Sequence, residues 1–505
     1  MATPAEKLAD SLELLFALQQ ESHIAIQSDE LTRTHRERLA TAGYLKEIIR
    51  GWYIPARPDE PAGESTPWYT SFWQFCAKYL DTRFGADWCL SPEQSILLHT
   101  GNRTVPAQLL VRADGARNQK TDFPHGTSIF EVRAKLPEKN QLTVVDGLRL
   151  FSLPFALVHS TESLYVQHPI EMRAALAMIR SAADLLAPLL DGGHSVIAGR
   201  LAGAYRNIGN EKMAEELVAT MVAAGYQVKE TDPFQQKVPM IISSRERSPY
   251  VNRMKLMWQA MREDIIRIMP ASPGLPKDTD AYMKAVADAY VQDAYNSLSI
   301  EGYRVSAALI ERVRSSQWAP DKNQSDRDLS NAMAARGYWL AYQEVQKAIR
   351  RILDGENVGE ALDEVHGTWY LKMFEPSVTA GILKASDLAG YRSIPIYIRH
   401  SKHSPPGVEA VRDLMPAFFE LLADEKDAGV RMVLGHFMFV YIHPYVDGNG
   451  RIGRFLMNAM MASGGHPWTI VPLERRDEYM HALEQASSHN NIVPFAGFVA
   501  GLVGR

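Results

Sequence analysis

Residues Val430–Ser463 read VRMVLGHFMFVYIHPYVDGNGRIGRFLMNAMMAS, and this stretch decides how the C-terminal half of the chain is read. Val430, Val433, Leu434, Phe437, Val440 and Tyr441 recur at helical spacing, which predicts a deeply buried helix. Pro444 stops it, because a proline pushes the preceding residue out of the helical region. Ile452, Phe455, Leu456 and Ala459 then make a second buried stripe. Between the stripes lies His443-Pro-Tyr-Val-Asp-Gly-Asn-Gly-Arg451. Gly448 and Gly450 allow backbone conformations closed to other residues and a close approach to a ligand. Around Gly448, Asn449 and Gly450, free backbone N–H groups at a helix start form an anion hole. Arg451 and Arg454 are three apart, so both flank that hole from one helix face, an arrangement suited to a polyphosphate. Asp447 precedes the hole and can hold a divalent cation that bridges phosphates. His443 stands at the loop entrance, where an imidazole takes a proton from an attacking hydroxyl. Alone, a histidine or a Gly-Asn-Gly turn is structural more often than not. Here the glycines, acid, base and arginines converge on one phosphate chain.

His443 to Arg454 resembles the signature of Fic proteins: His-Pro-aromatic, any residue, acid, Gly-Asn-Gly-Arg, two of any kind, Arg. Every defined position matches, with Tyr445 where Phe is commoner. The resemblance spans residues 250–505 and implies an all-α Fic fold with a β-hairpin flap. It implies transfer of AMP from ATP to a protein Ser, Thr or Tyr hydroxyl. His443 would be the general base and Asp447 the Mg²⁺ ligand; Gly448, Asn449, Gly450, Arg451 and Arg454 would bind the nucleotide. A branch of the family that transfers phosphate has Lys where this chain has Gly450, so adenylylation is favoured. YRSIPIYIRHSKHSPP (391–406) resembles the flap, whose exposed edge pairs with a target segment by strand addition. Residues Arg476–Ala486 resemble the helix lining the adenine pocket, with Tyr479 the candidate for base contact.

Upstream, NSLSIEGYRVS (296–306) carries Ser297, Glu301 and Gly302 in the spacing of the family's inhibitory motif. A helix over about 280–302 is expected, ended by Gly302. In the family this glutamate pairs with the second motif arginine, here Arg454, and occupies a group needed by the γ-phosphate. The resemblance implies a self-inhibited class in which the same glutamate can also support removal of AMP.

Working outward, the N-terminal text differs. The segment Leu31–Arg57 holds Arg33, Arg36, Arg38, Lys46, Arg50 and Arg57 against Glu37 and Glu47, in a chain of net charge −5. A helix at Thr32–Ala42 followed by LKEIIRGWYI, turning at Arg50–Gly51, predicts a winged helix-turn-helix over 1–60. Arg33, Arg36 and Arg38 are its candidate DNA contacts, and 28–57 the candidate surface for double-stranded DNA. A plain solvated face is the alternative. Residues 68–235 read as an α/β domain. Strands are expected at Gln108–Val111, Ser128–Val132 and Gln141–Val145, and helices at Glu171–Leu186 and Ala198–Ala224. Regions 1–60 and 68–235 together resemble the antitoxin-type transcriptional regulators of the AbiEi family. That resemblance implies DNA binding and nothing catalytic. Breaks are expected at Arg57–Pro67 and Thr231–Pro249, both proline-rich.

The whole is thus expected to be multi-domain and mainly α. Its 46% hydrophobic and 22% charged composition excludes wholesale disorder, and Lys+Arg 54 against Asp+Glu 59 confines nucleic-acid binding to a local patch. Two cysteines, Cys76 and Cys89, exclude a disulfide scaffold; they read as two reduced thiols, with one disulfide as the alternative. No secretory signal and no run of ~18 apolar residues is evident, so a cytoplasmic protein without membrane contact is expected. A homodimer stays open. The leading expectation is an autoinhibited adenylyltransferase with a DNA-binding front end. The competing one is a DNA-binding or antitoxin-like regulator whose Fic part only senses nucleotide.

Overall fold

The computed structural model describes residues 3–20, 24–58, 63–235, 248–315 and 329–503. Parts of the two proline-rich breaks, 59–62 and 236–247, lie outside them. The chain is mainly helical and divides into two compact units, Met1–Pro249 with Tyr397–Ser404, and Tyr250–Ile396 with Pro405–Arg505.

The first unit opens with helix α1 (Pro4–Gln20), strand β1 (Ile26–Gln27) and helix α2 (Arg33–Thr41), which Thr32 caps. Strands β2 (Leu45–Ile49) and β3 (Trp52–Pro55) form the expected hairpin, and β1 adds on the far side of β3. Between β1 and α2, Ser28–Leu31 form a turn and no helix. The reason is local. Ser28 N–H donates to Gly51 O (2.9 Å), Glu30 accepts from Gln27 N–H (2.6 Å), and Lys78 Nζ sits 2.6 Å from Glu30 Oε1. Those bonds tie the segment to the hairpin turn and to the next helix and leave no residues for a helical turn.

Helix α3 (Thr66–Phe84) carries an aromatic face onto that sheet, with Trp52 edge-on to Phe75 at 5.7 Å and to Tyr79 at 5.5 Å. One apolar core therefore runs from the hairpin (Ile48, Ile54) into the following layer (Trp88, Val111, Ile129). That layer holds β4 (Trp88–Leu90), helix α4 (Pro92–His99), β5 (Leu109–Ala113), β6 (Lys120–Asp122) and β7 (Ser128–Arg133) in the order β4-β5-β7-β6, with β5 and β7 parallel. A hairpin follows, β8 (Leu142–Val145) and β9 (Leu148–Phe151). Short helices α5 (Leu153–His159) and α6 (Ser163–Gln167) lead to α7 (Pro169–Met178), α8 (Ala182–Asp191), α9 (Ser195–Asn207) and α10 (Glu211–Ala223). Each of the two long helices expected here is thus split. The second of each pair starts at a polar cap, Ser181 for α8 and Asn210 for α10, whose side chains take the first free N–H groups.

The second unit is helical: α11 (Pro249–Ile268), α12 (Thr279–Ile300), α13 (Ala307–Arg314), α14 (Leu329–Leu353), α15 (Val358–Thr379), α16 (Val408–Asp424), α17 (Ala428–Ile442), α18 (Asn449–Ser463), α19 (Arg476–His489) and α20 (Val493–Val503). Helix α17 is buried on almost every side, as its hydrophobic text requires, and Asp427 caps its start. The flap expected at 391–406 is not a hairpin, because the segment carries no strand. Pro395, Pro405 and Pro406 lack the N–H a ladder needs, and residues 397–404 are counted in the first unit, where Val105 N–H donates to Lys402 O (3.0 Å). No described helix is long and apolar enough to cross a membrane.

Candidate active site

The site lies where α17 ends and α18 begins. His443 closes α17 in a left-handed conformation (φ 54°, ψ 60°), its N–H donating to Phe439 O at 3.0 Å. Its Nδ1 is 2.9 Å from Val440 O. A carbonyl only accepts, so Nδ1 carries the proton and Nε2 of the neutral ring is left with its lone pair. Burial, and after it the Arg392 guanidinium, holds the imidazole below its ordinary pKa against the pull of the Val440 carbonyl. The ring is thereby kept neutral at neutral pH, the form a general base needs.

Arg392 was invisible to sequence reasoning. It is 2% exposed, its Nε donates to His443 O (2.9 Å) and its backbone N–H to Pro444 O (2.9 Å). It also reaches the Pro406 carbonyl through Nη2, so it pins the turn that aims His443. No periodicity or motif marks it, since the contact joins positions 51 residues apart.

The loop is stapled from within. Tyr445 is buried and stacks on Tyr370 with ring centroids 4.0 Å apart. Asn449 accepts from Tyr445 N–H (2.9 Å) and donates through Nδ2 to Tyr445 O (2.8 Å). Its amide therefore shapes the hole, and what its position offers an anion is backbone N–H. Gly448 sits at φ 80° as the cap of α18, and Ile452 N–H is the donor that returns to its carbonyl (2.9 Å), so the helix's own ladder begins only there. A Cβ at Gly448 would stand 2.8 Å from the Phe374 ring, and one at Gly450 would stand 2.4 Å from Glu301 Oε1. Gly448 is demanded by its backbone conformation and by the ring above it, whereas at Gly450 the close neighbour is the tip of a flexible side chain.

Both arginines of the motif point inward. Arg451 is 1% exposed; its Nη2 lies 3.0 Å from Asp447 Oδ2, and the rings of Tyr303 and Phe374 lie 5.1 Å from its Cζ. Arg454 is 3% exposed; Nη2 donates to Glu301 Oε1 (2.7 Å) and Nε to Ser297 Oγ (2.8 Å). Burial opposes the charge on Arg454, and Glu301 more than offsets it, so its pKa is raised. Yet Arg451 Nε and Arg454 Nη1 are buried and make no hydrogen bond among the described residues. Two guanidinium N–H donors left unmet beside a helix N-terminus form a receptor for anionic oxygen.

Helix α12 delivers the carboxylate. Asp278 caps its start, Glu301 is its last cap, and Gly302 at φ 91° ends it. Asp293, Ser297 and Glu301 recur every four residues on the face toward Arg454. Asp293 is 3% exposed and accepts from Tyr338 OH (2.6 Å); burial raises its pKa to about 6, with Tyr338 and Arg454 pulling it back.

Asp447 is more than half exposed, with Oδ1 on its neighbour's N–H (Gly448, 2.6 Å) and Oδ2 on Arg451. No group of three or more metal-type side chains occurs among the described residues. Asp447, a single exposed carboxylate, could give one oxygen to a Mg²⁺ that takes its other ligands from elsewhere. Tyr479, the candidate base contact, is 1% exposed; its hydroxyl shares a hydrogen bond with His436 Nε2 (2.7 Å), and burial pushes its pKa up to about 12. Arg33, Arg36 and Arg38 lie in the other unit. Arg33 pairs with Glu37 (2.6 Å), Arg36 Nη1 donates to Ser28 O and Leu31 O, and Arg38 Nη1 donates to Lys7 O and Ser11 Oγ.

Comparison with known proteins adds independent findings. The chain is 28% identical over 235 residues to Protein adenylyltransferase Fic of Drosophila mojavensis, covering 44% of this chain and 41% of that protein. It is 27% identical over 267 residues to Protein adenylyltransferase Fic of Nematostella vectensis, covering 51% of this chain and 57% of that one. The chain therefore spans about half the length of the curated relatives it matches. A solved chain, Fic-1 (aa134–508) from C. elegans, aligns at 16% identity with a TM-score of 0.37, over 69% of this chain and 84% of that one. Residues 360–461, from the start of α15 to near the end of α18, match the Fic/DOC family.

Proposed function

We propose that this protein is a self-restrained protein adenylyltransferase. It moves AMP from ATP to a Ser, Thr or Tyr hydroxyl of a target protein. The observation that carries this reading is the pair of buried guanidinium groups with unmet N–H donors at the start of α18, next to a histidine whose Nε2 is left as an acceptor. Arg451, Arg454 and the first-turn N–H groups of α18 would take the β- and γ-phosphates. His443 Nε2 takes the proton of the target hydroxyl. Its oxygen then attacks the α-phosphorus, the bond to the bridging oxygen breaks, and pyrophosphate leaves into the arginines. Asp447 would hold Mg²⁺, which supplies positive charge for the leaving phosphates.

Glu301 is the restraint. Its carboxylate holds Arg454 and fills the space over Gly450. A charge-assisted pair of this kind contributes roughly 1.5–3 kcal/mol, so removing it frees the arginine by one to two orders of magnitude. In this reading the same site supports AMP removal when Glu301 orients a water. Incubation of wild type and Glu301→Gly with labelled ATP and Mg²⁺ tests it. Label on protein is expected, stronger with the variant and absent from Glu301→Gly/His443→Ala. No label from any form defeats the reading.

The N-terminal unit adds a DNA-binding function through 28–57, supported by the exposed Arg33 at the start of α2 beside a three-stranded sheet. A salt-sensitive gel shift with double-stranded DNA is expected. Its presence together with nucleotide binding but no transfer would favour the second reading, a regulator that senses nucleotide.

A further inference from the structure

The turn that ends α12 does more than carry Glu301. Gly302 N–H donates to Ser299 O (3.0 Å) and Tyr303 N–H donates to Leu298 O (3.1 Å). With Gly302 at φ 91° this is the paired-bond helix stop that locks the two residues after the last helical turn. A Cβ at Gly302 would meet nothing within 4 Å, so the glycine is there for its backbone conformation alone. Glu301 and Tyr303 therefore leave one rigid turn, a residue apart. Glu301 reaches Arg454, and the Tyr303 ring lies against the guanidinium of Arg451 at 5.1 Å. Phe374, from α15, covers the same guanidinium at 5.1 Å and also abuts Gly448.

We infer that Tyr303 is a second restraint, which holds Arg451 against Phe374 and away from a phosphate while Glu301 holds Arg454. A ring face attracts a guanidinium that is out of water. It covers the cation without accepting a hydrogen bond from it: Nη2 goes to Asp447 (3.0 Å), and the buried Nε makes none among the described residues. Because one turn carries both groups, withdrawing the end of α12 releases both arginines at once, and nucleotide binding senses a single movement. This rests on the adenylyltransferase reading of the site and deepens it.

Calorimetric titration with Mg²⁺ and a non-hydrolysable ATP analogue, on the full chain, tests the inference. Tyr303→Ala is expected to bind about 3- to 10-fold tighter than wild type. Tyr303→Phe, which keeps the ring, is expected to restore wild-type affinity. Glu301→Gly/Tyr303→Ala is expected to exceed Glu301→Gly by a similar factor. Gly302→Ala, which strains the turn without touching either side chain, is expected to tighten binding in the same direction. Two results overturn it: Tyr303→Ala binding no tighter than wild type, or Tyr303→Phe behaving as Tyr303→Ala does. If Glu301→Gly binds and transfers while Tyr303→Ala changes nothing, this inference alone falls. If no form binds the analogue, the reading of the site falls with it.

Discussion

Two helices in this chain present arginines in the same spacing, and the structure treats them oppositely. Arg33 and Arg36 on α2 and Arg451 and Arg454 on α18 are each three residues apart. On α2 the guanidinium groups are half or fully exposed and their hydrogen bonds go to Glu37 or to backbone carbonyls. On α18 they are 1% and 3% exposed, and each keeps a donor that meets nothing among the described residues. Taking a guanidinium out of water is costly unless its donors are met. At the start of α18, beside the free N–H groups of its first turn, such a pair can receive an anion, which satisfied surface arginines cannot. Spacing alone does not separate the two cases; burial and donor accounting do.

The largest expected effect breaks the α18 side at its base. His443→Ala should cut transfer by ~10²–10⁴-fold, with nucleotide affinity nearly unchanged, as read by labelled-ATP transfer beside calorimetry. Glu301→Gly comes next, raising nucleotide affinity roughly 10- to 100-fold by releasing Arg454. The pH profile sharpens the same side. The folded pKa of His443 is depressed below 6.5, so its base form persists through neutral pH and transfer falls only as pH drops through that lower value. An acid limb above pH 6.5 in a rate profile would contradict the assignment.

Asp293 supplies a smaller, separable effect. Its folded pKa is raised from 3.8 to about 6, so the charged form is disfavoured in the folded chain. The stability linked to its neutral form is present below the unfolded pKa and is lost as pH rises through about 6. Asp293→Asn should therefore stabilise the protein above pH 6, by at most about 3 kcal/mol, and do little at pH 4, as thermal melts would show. The smallest effects belong to α2. Arg38→Ala should cost about 1 kcal/mol of stability, because its bonds to Lys7 and Ser11 are internal. Arg33→Ala should leave stability alone and lower the salt dependence of any DNA binding by about one counterion. Equal salt effects from both would erase the contrast between the two arginines.

What was legible in the sequence was local. The buried stripes either side of His443–Arg454 and the hairpin turning at Arg50–Gly51 follow from periodicity and turn residues, and the pairing of Glu301 with Arg454 follows from the family resemblance. What was not legible depends on distant packing. Arg392 reaches His443 across 51 positions, and Phe374 reaches Arg451 from another helix. Tyr479 reads as a base contact or a core tyrosine, and its hydrogen-bond partner His436 lies 43 positions away. The likeness of 391–406 to a flap hairpin does not carry over, because prolines interrupt the segment and 397–404 belongs with the first unit.

Titration of Glu301→Gly and Glu301→Gly/Arg454→Ala with Mg²⁺ and ATP, followed by heat, tests the central claim most directly. The account predicts saturable binding to the first, tighter than wild type, and its loss by at least tenfold in the second. Absence of heat with Glu301→Gly, or equal affinity in both variants, would contradict it.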